Sequence, residues 1–422
     1  MNFAQLALIC LVAVLGPLLS LPRAVHLPVV IGELAVGLAL GQTGARVLDP
    51  HDSTFSFLAD AGFALVMFVA GTHVPVRDKA LRTGAPVGVA RAVAVGVLAA
   101  PAGWAIARVF GTGHAGLYAV LLASSSASIV MPALQGMPLT GPSLVAMLPQ
   151  LALADAACIV ALPFAIDPAH MSRAAIGAAA VVAVSLVVFV VLRFTEKRGY
   201  RRRVHEVSEE RGLALELRVT LTILFAVAAL AQWRHVSIML AGFCVGLAIA
   251  GVGEPKRVAK QVFALTDGLF APIFFVWLGA SLNLRDLAAH PDAVALGVTL
   301  GLSALVVHGA MVVTKQPWPV ALTTAAQMGV PVAAATTGSH LGVLRPGEDT
   351  AMLLGALVTI VATALLSGPL AKVAQRDSHV DPGEPAQTSS GTSATAQPPV
   401  GDIVAVGRVG GTIDENHRDG RS

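Results

Sequence analysis

About thirteen apolar stretches, each near 20 residues, fill the chain from residue 3 to residue 371, and about 20 residues is the length a helix needs to cross a bilayer. Their rough limits are 3–20, 26–42, 55–74, 85–108, 115–133, 142–165, 174–192, 216–232, 236–252, 261–282, 292–312, 318–341 and 350–371. In lipid every backbone polar group must bond within the protein, so such stretches fold as helices. Only 13% of the residues are charged and 55% are hydrophobic, against about 25% charged in a soluble domain. The chain reads as an all-α polytopic membrane protein. Cys10, Cys158 and Cys244 all fall in apolar runs and read as small buried hydrophobes.

Basic residues set the expected orientation. With thirteen crossings and the N-terminus outside, the inner loops carry about 17 Lys and Arg and the outer loops about 6. That bias places the C-terminus in the cytoplasm of a multi-pass protein of the cell (inner) membrane. Residues 3–20 have no preceding basic residue, the reverse of a secretory signal, and read as a retained helix. Residues 193–215 form a basic cytoplasmic loop near the middle of the chain. Residues 374–422, rich in Gly, Pro, Ser and Thr towards their end, read as a disordered cytoplasmic tail.

The two halves repeat. FLADAGFALVMFVAGTHVPVRD (57–78) matches FALTDGLFAPIFFVWLGASLNLRD (263–286) in its early Asp, its later Gly and its terminal Arg-Asp. GELAVGLALG (32–41) matches AGFCVGLAIAG (241–251) more weakly. The copies lie seven spans apart, an odd offset that inverts the second. Inverted repeats enclose a midplane site in secondary transporters. The expected order is a first repeat at about 3–165, a linker helix at about 174–192 and a second repeat at about 216–371, all within a transmembrane domain of residues 1–373.

Two symmetry-related spans are poor continuous helices. LLASSSASIVMPALQGMP crowds Ser124, Ser125, Ser126 and Ser128 into one turn before Pro132, and TTAAQMGVPVAAATTGS centres on Gln327, Gly329 and Pro331. Both read as broken helices, which leave backbone groups free around a polar cavity. Asp155 lies in the middle of the next span, LPQLALADAACIVALPFA. A charge at that depth costs at least a few kcal/mol on insertion scales and marks ion or proton handling. A carboxylate there holds either a proton or a cation, because burial favours its neutral form and a cation its ionised form. Gln150 in the same span, and His308, Gln327, Asp267, Glu33 and Arg91 in other spans, are the accessory candidates. Gln150 is placed to bridge to Asp155. Glu33 reads first as a snorkelling or packing residue. Asp60 and Asp267 read as helix caps or partners of basic groups, and Arg91 as a partner for a buried carboxylate or a helix end. His73, His235 and His340 read as interfacial.

Through VIGELAVGLALG, FLADAGFALVMFVAGTHV, ASSSASIVMPAL, LADAACIVAL and FALTDGLFAPIFFVWLGASLN, residues 5–372 resemble the cation:proton antiporters. The nearest resemblance is to the bacterial branch of the cation:proton antiporter 2 family, which is sodium/hydrogen exchanger-like. That resemblance implies two inverted six-helix repeats with a linker helix and two broken, crossed helices, and a homodimer with a mobile core. It implies elevator-like exchange of Na⁺ or K⁺ for protons, with Asp155 as shared carrier and polar ligands at Ser125, Ser126 and Ser128. The family commonly pairs a second polar or acidic residue with its aspartate, where this chain has Ala154. It often carries a Lys before the second break, where His308 is the nearest substitute. A single carboxylate implies one-for-one, electroneutral exchange.

The expected partners are a monovalent cation, a proton and the lipid bilayer, without a cofactor, a structural metal or a nucleic acid. The tail is too short for a nucleotide-binding regulatory domain and lacks a strand–GxGxxG–helix pattern. An enzyme would need a nucleophile–base or metal-ligand set such as HExxH or GxSxG, and the sequence has neither. The alternative is a sodium-coupled symporter of a small organic anion. The Ala, Val and Leu around Asp155 favour a smaller ligand.

Overall fold

A computed structural model describes residues 3–20, 29–72, 79–134, 141–198, 213–253, 256–282, 284–285 and 291–378. The described elements are helical throughout. In chain order they are α1 (Phe3–Ser20), α2 (Val29–Leu40), α3 (Ser53–Thr72), α4 (Lys79–Val109), α5 (Ala115–Ala123), α6 (Ala127–Ala133), α7 (Pro142–Ile166) and α8 (Met171–Lys197). The second half contains α9 (Leu215–Trp233), α10 (Ile238–Val252), α11 (Lys256–Leu265), α12 (Ala271–Ser281), α13 (Pro291–Gly309), α14 (Trp318–Thr323), α15 (Gly329–Leu341) and α16 (Glu348–Ser378). Among the described residues, eight helical segments are long and apolar enough to cross a membrane, and Phe3–Val14 and Ile238–Val252 are shorter apolar helices. The expected stretches at 115–133 and 318–341 miss that length because each is split in two.

The helices gather into two bundles. One packs α3 against α10 and α2 against α12, with α1, α8 and α9 alongside. The other packs α4 against α5 and α7, and α13 against α16, around the two split helices. Contacts between the bundles are sparse.

The repeat read from the sequence has a packing counterpart. A Cβ at Gly37 would lie 3.0 Å from the Cα of Gly279, and one at Gly71 would lie 3.1 Å from the Cα of Gly246. In the sequence alignment Gly71 matches Gly279 and Gly37 matches Gly246, so the two close crossings exchange under the repeat relation. Small residues let helix backbones approach in this way. Asp60 and Gly71 are eleven residues apart, whereas Asp267 and Gly279 are twelve apart. A π-helical turn at Thr266–Phe270 takes up the extra residue, as single-turn π-bulges do.

Several expectations need correction. The N-terminus of α3 is capped by Asp52, whose Oδ1 accepts from the Thr54 and Phe55 N–H groups at 3.0 Å each. Asp60 lies two turns inside the helix and cannot cap it. Asp267 sits within the π turn in the middle of a continuous helical stretch, so it caps nothing either. Cys10 is exposed on α1, not buried. Helix α8 runs on through Lys197 and α16 through Ser378, so residues 193–197 are not loop and 374–378 are not tail. His73, residues 199–212 and residues 379–422 lie outside the described residues.

Candidate functional site

The first break follows from local hydroxyl chemistry. Helix α5 stops at Ala123, and Ser124 turns extended at φ −71°, ψ 154°. The Ser124 N–H and Oγ both donate to the Leu121 carbonyl, at 3.0 and 2.8 Å, closing the last turn. Serine side chains compete with the helix ladder in this way. The chain restarts as α6 when the Ser126 carbonyl accepts from the Ile129 and Val130 N–H groups.

The second break runs from Thr324 to Met328. Thr323 Oγ1 donates to the Pro319 carbonyl and Thr324 Oγ1 to the Ala321 carbonyl, each at 2.7 Å. The Gln327 N–H, freed from any helix, donates to Thr359 Oγ1 on α16 at 3.1 Å. The buried Gln327 side-chain nitrogen makes no hydrogen bond among the described residues.

The two breaks meet. Ser125 Oγ donates to the Thr324 carbonyl at 2.8 Å. His308 on α13 lies 2.9 Å from Thr324 Oγ1 through Nδ1. Because the threonine hydroxyl proton is already used on Ala321, Nδ1 is the donor. The other ring nitrogen, Nε2, is buried and makes no hydrogen bond among the described residues, and the ring lies beside the Leu122 and Ser124 backbone at the first break. Gln150 reaches Thr324 Oγ1 at 3.5 Å and accepts from Gln316 Nε2 at 3.0 Å. Gln150 therefore bonds to the second break and not, as the sequence suggested, to Asp155.

Asp155 is 7% exposed on α7, and its carboxylate is aimed at the Ala127 N–H where α6 begins. Ser125 and Ser126 are buried in the same break. Ser128 is in the first turn of α6, and its side chain is outside the described residues. The structure thus gathers Asp155, Ser125, Ser126, Gln150, Gln327 and His308 around the two interruptions. It does not bring Glu33, Asp267 or Arg91 there. Glu33 is buried on α2, within electrostatic reach of Asp267, in the other bundle; it does not snorkel. Arg91 reaches a helix end: its Nε donates to Thr314 Oγ1 at 2.9 Å and its guanidinium to the Thr314 carbonyl at 3.1 Å. Thr324 and Gln316 were missed in the sequence. Their only signal was a polar residue inside an apolar span for Thr324 and just before it for Gln316.

Chemically, the site offers a carboxylate and hydroxyls beside interrupted backbone. Unwound backbone carbonyls at such breaks coordinate Na⁺ or H⁺-linked sites in transporters. Among the described residues there is no group of three or more His, Cys, Asp or Glu side chains that could hold a metal ion.

The transmembrane sodium/hydrogen exchanger family matches residues 10–373. The chain belongs to the sodium/hydrogen exchanger family. Among its relatives, the putative Na⁺/H⁺ antiporter YjbQ of Bacillus subtilis is 23% identical over 68% of this chain and 48% of its own length. The Na⁺/H⁺-K⁺ antiporter GerN of Bacillus cereus is 25% identical over 67% of this chain and 72% of its own length. The glutathione-regulated potassium-efflux protein KefC of Klebsiella pneumoniae is 27% identical over 65% of this chain and 44% of its own length. The chain thus spans about half the length of the first and third of these relatives. In fold it is similar to the sodium proton antiporter MjNhaP1 of Methanocaldococcus jannaschii at pH 8, with a TM-score of 0.60 and 16% identity. That similarity covers 88% of this chain and 97% of the other.

Proposed function

We propose that this chain is a secondary transporter that exchanges a monovalent cation, Na⁺ or K⁺, for protons across the cytoplasmic membrane. The observation that carries the reading is a buried carboxylate, Asp155, at the start of one half-helix, beside a second helix break that hydrogen-bonds to the first. Its relatives' descriptions as Na⁺/H⁺ and Na⁺/H⁺-K⁺ antiporters support it.

The cycle needs one group with two exclusive occupants. Protonated Asp155 is neutral, which suits a low-dielectric site. A partly dehydrated cation displaces that proton, and the carboxylate, the hydroxyls of Ser125 and Ser126 and free carbonyls at the breaks replace its water. Thr324, His308, Gln150 and Gln316 hold the second break in register while this happens. One charge in for one charge out makes the exchange electroneutral. The sparse contacts between the bundles suit alternating access, in which the bundle carrying both breaks moves against the other. A homodimer formed by the other bundle, the N-terminus outside and the C-terminus in the cytoplasm complete the reading.

The test is a cation screen on reconstituted vesicles loaded with a pH-sensitive dye. An imposed proton gradient should be dissipated by Na⁺ or K⁺ and not by choline. Dissipation that requires an organic anion together with Na⁺ would favour the symporter instead.

A further inference from the structure

A cavity of about 300 Å³ opens along the seam between the bundles. It is lined by Asp60 and Phe63 of α3, Gln232 of α9, Ser237 before α10, and Thr336 and His340 of α15. A volume of that size has room for on the order of ten waters, enough for a hydrated cation. A small adjoining recess shares Ser237 and reaches α7 at Leu162 and Ile166.

Three features aim this cavity at the transport site. Asp60, Phe63 and Met67 follow one another at spacings of three and four, so they share one face of α3. Met67 and Met239 sit against Gly329, the first residue of α15 after the second break, at 3.2 and 3.3 Å from where a Cβ would stand. Asp60 therefore lies about 10 Å from that break along a helix rising 1.5 Å per residue. Asp155 is seven residues before Leu162 on α7, a similar drop below the recess.

Asp60 is neither a cap nor an ion-pair partner of Lys or Arg among the described residues, and it makes no hydrogen bond to them. The group it faces is His340, exposed on α15 in the opposite bundle, close enough for an electrostatic interaction. The other titratable neighbour is His235, in the turn before α10. Beyond it, the recess carries Arg173, Arg234 and the His170–Asp167 pair, whose Nδ1–Oδ2 distance is 2.8 Å.

We propose that Asp60 is an entry site that draws a hydrated monovalent cation into this cavity, and that a cationic group at His340, which faces the same carboxylate across the seam, would compete with the cation for it. The proposal rests on the exchange reading above. A carboxylate in a cleft concentrates cations locally, so its effect falls on apparent affinity and on one membrane face.

The experiment measures initial exchange rates against cation concentration in sealed vesicles of both orientations. The face carrying the turn before α10 is located by maleimide labelling of an Arg234→Cys variant. Asp60→Asn should raise the cation KM about tenfold from that face only, with kcat within about twofold, and Asp60→Glu should restore it. Should Asp60→Asn fail to fold, His340→Lys serves instead: a fixed charge on an exposed side chain should raise KM from that face at every pH. An unchanged KM in a folded variant, a loss of kcat alone, or an equal change from both faces overturns the proposal. Absence of exchange by the unsubstituted protein would instead reject the antiport reading itself.

Discussion

Ser125 and Thr324 join the two interrupted helices through one 2.8 Å hydrogen bond, from the Ser125 hydroxyl to the Thr324 carbonyl. The two residues are 199 positions apart, one in each repeat. A backbone carbonyl released by the second break is thus satisfied by a side chain released by the first. Buried polar groups of this kind either meet a partner or cost the full desolvation penalty.

Thr324 is the hub of that arrangement, and replacing it tests the arrangement directly. Thr324→Val keeps the shape but removes the oxygen that accepts from His308 and Gln150. Each donor left unpaired costs about 1–3 kcal/mol. Exchange should slow about tenfold, as 1.4 kcal/mol at the working state would do, and the melting temperature in detergent should fall. Thr324→Ser should restore both. A Val variant with unchanged turnover would make the hub a bystander.

The glycine crossings make a paired stability prediction. Gly37→Ala and Gly246→Ala each push a methyl into a facing backbone, and overpacking of this kind costs about 1–3 kcal/mol. The repeat relation predicts similar losses at the two sites, read as similar drops in melting temperature. Gly96 on α4 has nothing within 4 Å of its Cβ position. Gly96→Ala should therefore be neutral or stabilising by up to about 1 kcal/mol.

Glu348 anchors the start of α16 to α5. Its Oε1 accepts from the Tyr118 hydroxyl at 2.6 Å and lies 2.6 Å from His114 Nδ1, while Oε2 accepts from the Arg345 N–H at 2.9 Å. Glu348→Ala should cost about 3 kcal/mol, since it strands a buried phenol and an imidazole together. Tyr118→Phe should cost about 1.5 kcal/mol. A double-mutant cycle in thermal unfolding checks the pair: Tyr118→Phe should cost much less in the Glu348→Ala background.

Much of the fold was legible because membrane helices announce themselves by apolar length, and the repeat announced itself by ordered Asp and Gly positions. The breaks at Ser124–Ser126 and Thr324–Met328 were legible because hydroxyl clusters and Pro weaken a helix locally. The fate of individual polar side chains was not. Gln150 sits five residues before Asp155 on one helix, but side chains on a helix meet at spacings of three and four, and it turns towards Thr324 instead. Asp60 resembles a cap in sequence because it lies early in an apolar run, yet the helix starts earlier, at Ser53. The π turn around Asp267 was visible only as a one-residue mismatch between repeats.

The central claim is that Asp155 alternates between a proton and a cation. The most direct measurement is cation-driven proton release from vesicles containing Asp155→Asn, with folding checked by size-exclusion chromatography. Asn has nearly the same shape and can neither release a proton at working pH nor balance a cation's charge. The account predicts a well-folded protein with no exchange above that of empty vesicles. Exchange at the unsubstituted rate would remove Asp155 from the transport cycle and contradict the account.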